Sequence, residues 1–344
     1  MLEAIFPRAL RRAVFAGAIT FALYGCGTTP VGAPVVPSGA DKIGVTSGPM
    51  LGYAWDAKVA GIRPIYGVAG AAQLGAAKYA GSGFSASAIC AKNSFAVFTD
   101  PKGQASVAAL PSGIPVAVTG QVGKNARLAI SPNCSTALLY ASGNTTAILI
   151  SGLPNAPQPE MLELPSGALL TVAVSDAGTV LAGFQQSSGV TVEAVSTKGS
   201  NQVLTISSLA GIAFVAMPSG QQENALIADG TKNNVWLASN VMSNVSLVPA
   251  ASAQQGISQP LAIAASSDGR WLIVANHKGT SLLRIDLTAQ AGSTQTVCNC
   301  TATKLSPLNG NGTFLLSDVT SGPLWTFDGD APSPRVVFIP GVTR

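Results

Sequence analysis

A unit of apolar runs and turns recurs six times along this 344-residue chain, and nothing else in the sequence restricts its fold as strongly. The runs "AVFTD", "LLYAS", "LAGFQ", "ALIAD", "LIVAN" and "FLLSD" end at Asp100, Ser142, Gln185, Asp229, Asn276 and Asp318, at intervals of 42, 43, 44, 47 and 42 residues. Each continues through a short turn into a second run: "VAAL" from Val107, "AILIS" from Ala147, "VEAVS" from Val192, "VWLAS" from Val235, "LLRID" from Leu282 and "LWTFD" from Leu324. A period of about 40 to 45 residues made of strands and turns is that of a propeller blade. One such unit cannot bury both of its apolar faces, so the copies must stack on each other around a common axis.

Composition agrees with an all-β chain. Charged residues make up 10% of the sequence, against about 25% in an average soluble domain. No 15-residue window after the N-terminal region has the apolar spacing of an amphipathic helix, and no later apolar run reaches the length of a membrane span. Within the copy around Asn276, "LAIAA" at 261–265 reads as a small-residue inner strand. Trp271 to Ala275 is continuously apolar, as a strand covered on both faces would be. In "LLRIDL" apolar and charged residues alternate, as expected where one face is partly wet. "TQTVCNC" reads as the outer strand. Ser267-Asp268-Gly269-Arg270 is a tight turn, with copies in "SPNCS" from Ser131 and "SDAGT" from Ser175.

The stretch "SSDGRWLIVAN", residues 266–276, resembles the repeat of bacterial YVTN-type and lactonase-like β-propellers, in which a Ser-Pro-Asp-Gly turn precedes a strand ending near Val-Ala-Asn. The resemblance covers about residues 82–340 as six copies. Before them, "MLGYAWDAKVAGIRPIYG" ending at Gly67 adds two strands, or three if "KIGVT" at 42 also pairs. The expectation is a seven-bladed propeller of four-stranded antiparallel blades over residues 42–344, with six blades plus an N-terminal extension as the alternative. Lactonase-like members use polar residues clustered at the axis, and no such set matches here. The tryptophan docking motifs of quinone-dependent propellers are absent as well. The resemblance thus implies the fold, and neither a catalytic residue nor a cofactor.

The first 25 residues read as a targeting segment. Arg8, Arg11 and Arg12 precede the apolar run "AVFAGAITFALY", which has the length of a signal-peptide core and is too short to span a bilayer. Leu23-Tyr24-Gly25-Cys26 resembles the bacterial lipobox, which implies a lipid on Cys26 and a membrane anchor. Residues 26–41, rich in Gly, Pro, Ser and Thr, read as a flexible tether. Gly27 after the modified cysteine is not aspartate, which by analogy with bacterial sorting implies the outer membrane of the cell envelope. With three Arg and one Glu of the first 25 residues set aside from totals of 19 and 15, the body keeps 16 basic and 14 acidic side chains. Such a near-neutral body gives no footprint for nucleic acid.

Little in the repeat carries chemistry. His277 is the chain's one histidine, which excludes a multi-histidine metal site. Cys90 and Cys134 fall in neighbouring copies at equivalent turns and can pair; Cys298 and Cys300 fall blades away, so one zinc cannot gather all four. Spaced two apart in a strand, Cys298 and Cys300 would lie about 6.5 Å from each other, and a free pair or a strained bond is expected. The loops after the fully apolar runs gather on one face of a propeller, and their residues Asp100, Lys102, Asp229, Lys232, Asn276, His277, Lys278 and Asp318 are the candidate binding set. The favoured reading is a non-catalytic scaffold for an envelope protein, peptide or glycan. The competing one is a lactone- or sugar-acting hydrolase with its site in the central channel, for which only the fold speaks.

Overall fold

The computed structural model describes residues 48–216, 223–277, 281–289, 292–300, 302–319 and 322–341. Cys26, the tether at 26–41, the "KIGVT" segment and Lys278 lie outside these residues. The chain from residue 47 onward is one unit built from seven antiparallel sheets in chain order, six of four strands and one of three. It is a seven-bladed β-propeller with four-stranded antiparallel blades as its pattern. We number the blades 1 to 7 and letter their strands a to d from the axis outward.

The repeat seen in the sequence is the pair of strands b and c. The b strands Phe95–Thr99, Ala137–Ala141, Val180–Gln186, Asn224–Asp229, Trp271–Asn276 and Thr313–Leu315 belong to blades 2 to 7. They are the most deeply buried strands, because each is sandwiched between the two adjoining sheets; Phe98, Leu139, Leu181, Ile227 and Val274 are all fully buried. The d strands, such as Gln158–Glu163 and Ser293–Val297, are mostly exposed. Seven apolar clusters fill the spaces between adjacent sheets; one joins Leu226 and Val235 of blade 5 to Leu272, Val274 and Leu283 of blade 6.

Blade 1 consists of Met50–Asp56, Gly61–Val68 and Ala71–Leu74. Its register identifies these as strands b, c and d. Asp56 stands 44 residues before Asp100, ends its strand at the same place in the unit, and accepts the Lys58 amide at 3.1 Å as Asp100 accepts that of Lys102 at 2.9 Å. Blade 1 closes the ring against blade 7: Leu51, Ala54 and Ile65 pack on Leu308, Leu315, Leu324 and Ile339. On the axial side of Met50–Asp56, the Asn309 amide of blade 7 donates to the Leu51 carbonyl at 2.8 Å and Asn309 Nδ2 to that of Met50 at 2.9 Å.

Two details differ from the sequence expectation. The outer strand of blade 6 stops at Val297, so Cys298 and Cys300 lie beyond it. They form a disulfide with Cα atoms 5.0 Å apart, closer than an extended strand would hold them. In blade 7 the a and b strands shrink to Ser306–Pro307 and Thr313–Leu315, and Asp318 lies outside the ladder. Pro307 has no N–H to donate, which limits the pairing there.

Candidate functional site

A propeller offers three places for chemistry: the face of b–c turns, the opposite face of a–b turns, and the channel between the a strands. The candidate residues drawn from the sequence fall on the first. Asp100 Oδ1 accepts the amides of Lys102 and Gln104, both at 2.9 Å, and so closes its own turn. Asp229 is fully buried and accepts the amides of Thr231 and Lys232 at 3.0 Å. Asn276, also buried, takes the Ser258 amide at 3.0 Å and donates to Gly256 O at 3.0 Å and Ser281 Oγ at 3.2 Å. These three side chains face the blade and hold turns.

The other described candidates are exposed. Lys102 and Lys232 contribute their amides to those turns, while their side chains reach solvent. Asp318 forms an ion pair with Lys304. His277 lies at the rim of a shallow crevice between blades 5 and 6, lined also by Ser208, Asn233 and Gln259, and its amide donates to the Gln259 carbonyl at 2.9 Å. The b–c face thus brings the named residues to one side of the ring but divides them among four blades, with no two of them hydrogen-bonded across a blade boundary among the described residues.

The a–b face is tied together by side chains. Asp176 of blade 4 accepts the Asn133 amide and Nδ2 of blade 3, each at 2.9 Å, and Ser135 Oγ at 3.1 Å. Asn311 of blade 7 repeats this clasp in reverse, donating through Nδ2 to Asp268 of blade 6 at 2.8 Å and accepting the Asp268 amide at 2.8 Å. Between blades 2 and 3, Cys90 and Cys134 form a disulfide with Cα atoms 6.0 Å apart, and Lys92 Nζ donates to Asn133 Oδ1 at 2.8 Å. The sequence held a sign of these clasps: Asn133 and Asp176, like Asp268 and Asn311, are 43 residues apart in equivalent turns.

Behind that face the channel widens into an axial cavity of about 310 Å³. Each a strand pairs on one side with its b strand, so its other edge is turned to the axis. Around those edges stand Ile89, Ile130, Val172, Ile212, Ile263 and Leu305, at least one branched aliphatic residue from each of blades 2 to 7, and Val174, Leu308, Phe214 and Phe314 line it too. Ala129, Ala173, Ala213, Ala264 and Ala265 fill the intervals. The Cys90–Cys134 disulfide forms part of the wall. At the a–b mouth Ser131 Oγ accepts the Thr136 amide at 3.1 Å, and Ser266 Oγ accepts that of Trp271 at 2.9 Å and donates to Asp268 at 2.5 Å, so both oxygens serve their own turns and only Ser266 also spends its O–H there.

Among the described residues, Lys92 is the one charged member of the lining. Burial pushes its ammonium below the ordinary lysine value, while the nearby Asp176 carboxylate works the other way. Lys92 was not singled out from the sequence, because a lone lysine after a strand carries no pattern.

No protein-family model and no curated protein matches this chain. Solved structures do match in fold. A functionally unknown protein from Desulfotomaculum acetoxidans superposes with a TM-score of 0.58 over 86% of this chain and 96% of its own, at 16% identity. A protein from Lactobacillus plantarum gives 0.53 over 84% and 98%, at 13% identity. Virginiamycin B lyase from Staphylococcus aureus gives 0.52 over 75% and 84%, at 11% identity. At these identities the likeness establishes the propeller fold and nothing about activity.

Proposed function

We propose that the chain is a non-catalytic binding module of the bacterial cell envelope, tethered through a lipid on Cys26 and presenting its propeller to a protein, peptide or glycan. The observation that supports this reading is the lining of the axial cavity. Hydrolysis of a lactone or glycoside needs an acid or base within hydrogen-bond reach of the reacting atom, and most glycosidases need two carboxylates. Aliphatic side chains surround the axis instead. Among the described lining residues no carboxylate or imidazole stands with Lys92, and His277 belongs to the opposite face.

The test has two arms on the full chain. Lactones and aryl glycosides should be turned over no faster by the protein than by buffer, and turnover abolished by Lys92→Gln would overturn the reading. Cells fed labelled palmitate should label the wild-type chain and leave a Cys26→Ser variant unlabelled; equal labelling of both would remove the tether.

A further inference from the structure

The axial cavity is more than a gap at the centre of the ring. Every blade that lines it contributes aliphatic side chains, with Phe214 and Phe314 among them; its mouth lies on the clasped a–b face, and the one charged group of the described lining sits at that mouth. Water there can bond to the free edges of the a strands, but alkyl carbon makes up more of the lining than polar atoms do, so an apolar chain with a polar head can take its place. A volume of about 310 Å³ is at the small end of ligand pockets, which run from about 300 to 1,000 Å³. That suits a single alkyl chain rather than a fused-ring compound.

The polar end of an occupant is constrained by what remains free at the mouth. Ser266 is committed to its turn as acceptor and donor, while Ser131 Oγ accepts there and keeps its O–H as a second donor beside Lys92 in the lining. Both oxygens of Asp176 are held by Asn133 and Ser135. Asn311 Oδ1 is taken by Ser267 and Asp268, and its Nδ2 by Asp268. Lys92 Nζ makes one bond, to Asn133 Oδ1. An ammonium has three donors, so it can take an anion without breaking that bond. The partial desolvation of this lysine is consistent with a cation short of water.

Resting on the reading of the chain as a non-catalytic binding module, we infer that the axial cavity takes the alkyl chain of a medium-chain carboxylate, with the carboxylate head on Lys92 Nζ and the chain among Ile89, Ile130, Val172, Ile212, Ile263 and Leu305. The protein partner and the b–c face play no part in this site.

Calorimetric titration tests it with decanoate, decanol and decyltrimethylammonium added to the full chain carrying Cys26→Ser, which cannot be acylated. Decanoate should bind once per chain, decanol about tenfold more weakly for want of the charge-assisted bond, and the cation not measurably. Lys92→Gln keeps a side-chain amide that can still donate to Asn133 Oδ1 and, with an unchanged melting curve as the check on its folding, should bring decanoate to the level of decanol. Ala213→Phe, which fills the cavity, should abolish binding of both; Ala173→Phe, on another blade, serves should the first fail to fold. Equal binding of all three amphiphiles, binding indifferent to Lys92→Gln, or binding unchanged in a folded cavity-filling variant would each overturn the inference, as would absence of decanoate binding. None of these outcomes touches the non-catalytic reading, which stands or falls on turnover.

Discussion

Asp286, at the end of strand c in blade 6, collects more polar contacts than any residue named from the sequence. Its Oδ2 accepts Arg270 Nε at 3.0 Å and Nη2 at 2.8 Å, and its Oδ1 accepts the Thr288 amide at 2.9 Å and hydroxyl at 2.7 Å. The Arg270 guanidinium, followed by Thr288, holds the carboxyl far below the usual carboxylate range. Asp268 next to it is also held low: burial opposes ionisation there, but bonds from Ser266, the Arg270 amide and Asn311 outweigh it. Groups whose folded-state values lie below the unfolded ones stabilise the fold fully above the unfolded value of about 4 and lose that contribution as pH falls through the folded value. The melting temperature of the wild type should therefore drop between about pH 4 and pH 2. An Asp286→Asn variant should begin lower at neutral pH and fall less over the same interval; parallel curves for the two proteins would deny Asp286 this role. Trp271, with Arg270 and Arg284 at 4.6 and 4.5 Å from its ring, helps fix the guanidinium in place.

At the scale of the element, the b–c turns separate two costs that are usually confounded. Gly103 and Gly143 occupy such turns in blades 2 and 3, with φ of +81° and +86°. A side chain at Gly143 would meet nothing within 4 Å, whereas a Cβ at Gly103 would collide with the backbone of Gly123. Gly143→Ala should then cost only the left-handed backbone strain, about 1 to 2 kcal/mol. Gly103→Ala should cost clearly more, because the Gly123 backbone, which directly follows the Val122 amide bonded to the Gly103 carbonyl, has to move; urea unfolding of the two variants measures the gap, and equal losses would show that the turn yields freely. The same turns explain what could be read in advance. Strands b and c were legible because burial on both faces demands an unbroken apolar run, and Asp or Asn at the end of b marks the turn it closes. The d strands were not, since exposure leaves their sequence unconstrained; "TQTVCNC" looked like one strand but ends at Val297. Blade 1 was legible only in part: Asp56, 44 residues before Asp100, carries the mark of strand b, but without a small-residue run like "LAIAA" before it the unit did not declare its register. The cavity could be foreseen as small and apolar from the inner strands, while Lys92 could not, because its place at the mouth depends on a turn position and not on a pattern.

The whole ring raises the question of where it is weakest. Blades joined in sequence are held by their connecting chain, and blades 2 and 3 by the Cys90–Cys134 disulfide as well. Closing a loop with a sequence separation of 44, that bond contributes about 4 kcal/mol on the chain-entropy model. Blades 3 and 4, and 6 and 7, have the Asp–Asn clasps. The seam between blades 7 and 1 has no strand shared across it among the described residues and no connecting chain; it rests on apolar packing, on the two bonds from Asn309 and on one from Arg335 Nη2 to the Ala69 carbonyl at 3.5 Å, all to residues more than 250 positions earlier. Closure of so long a loop adds entropy cost that the other interfaces do not bear. Ile65 is fully buried in that seam, as Ile227 is in blade 5. Truncation to alanine should cost about 2 to 5 kcal/mol at either site, but the consequences should differ in place. In Ile65→Ala, amide exchange should speed up first in blades 1 and 7, with blades 3 to 5 still protected, because opening the seam needs no other interface to part. In Ile227→Ala the protection of the ring should fall more evenly, since blades on both sides remain tied by chain. Exchange that rises uniformly in the seam variant would mean that the ring opens as a single cooperative body, and that closure by packing alone is as firm as the stapled interfaces.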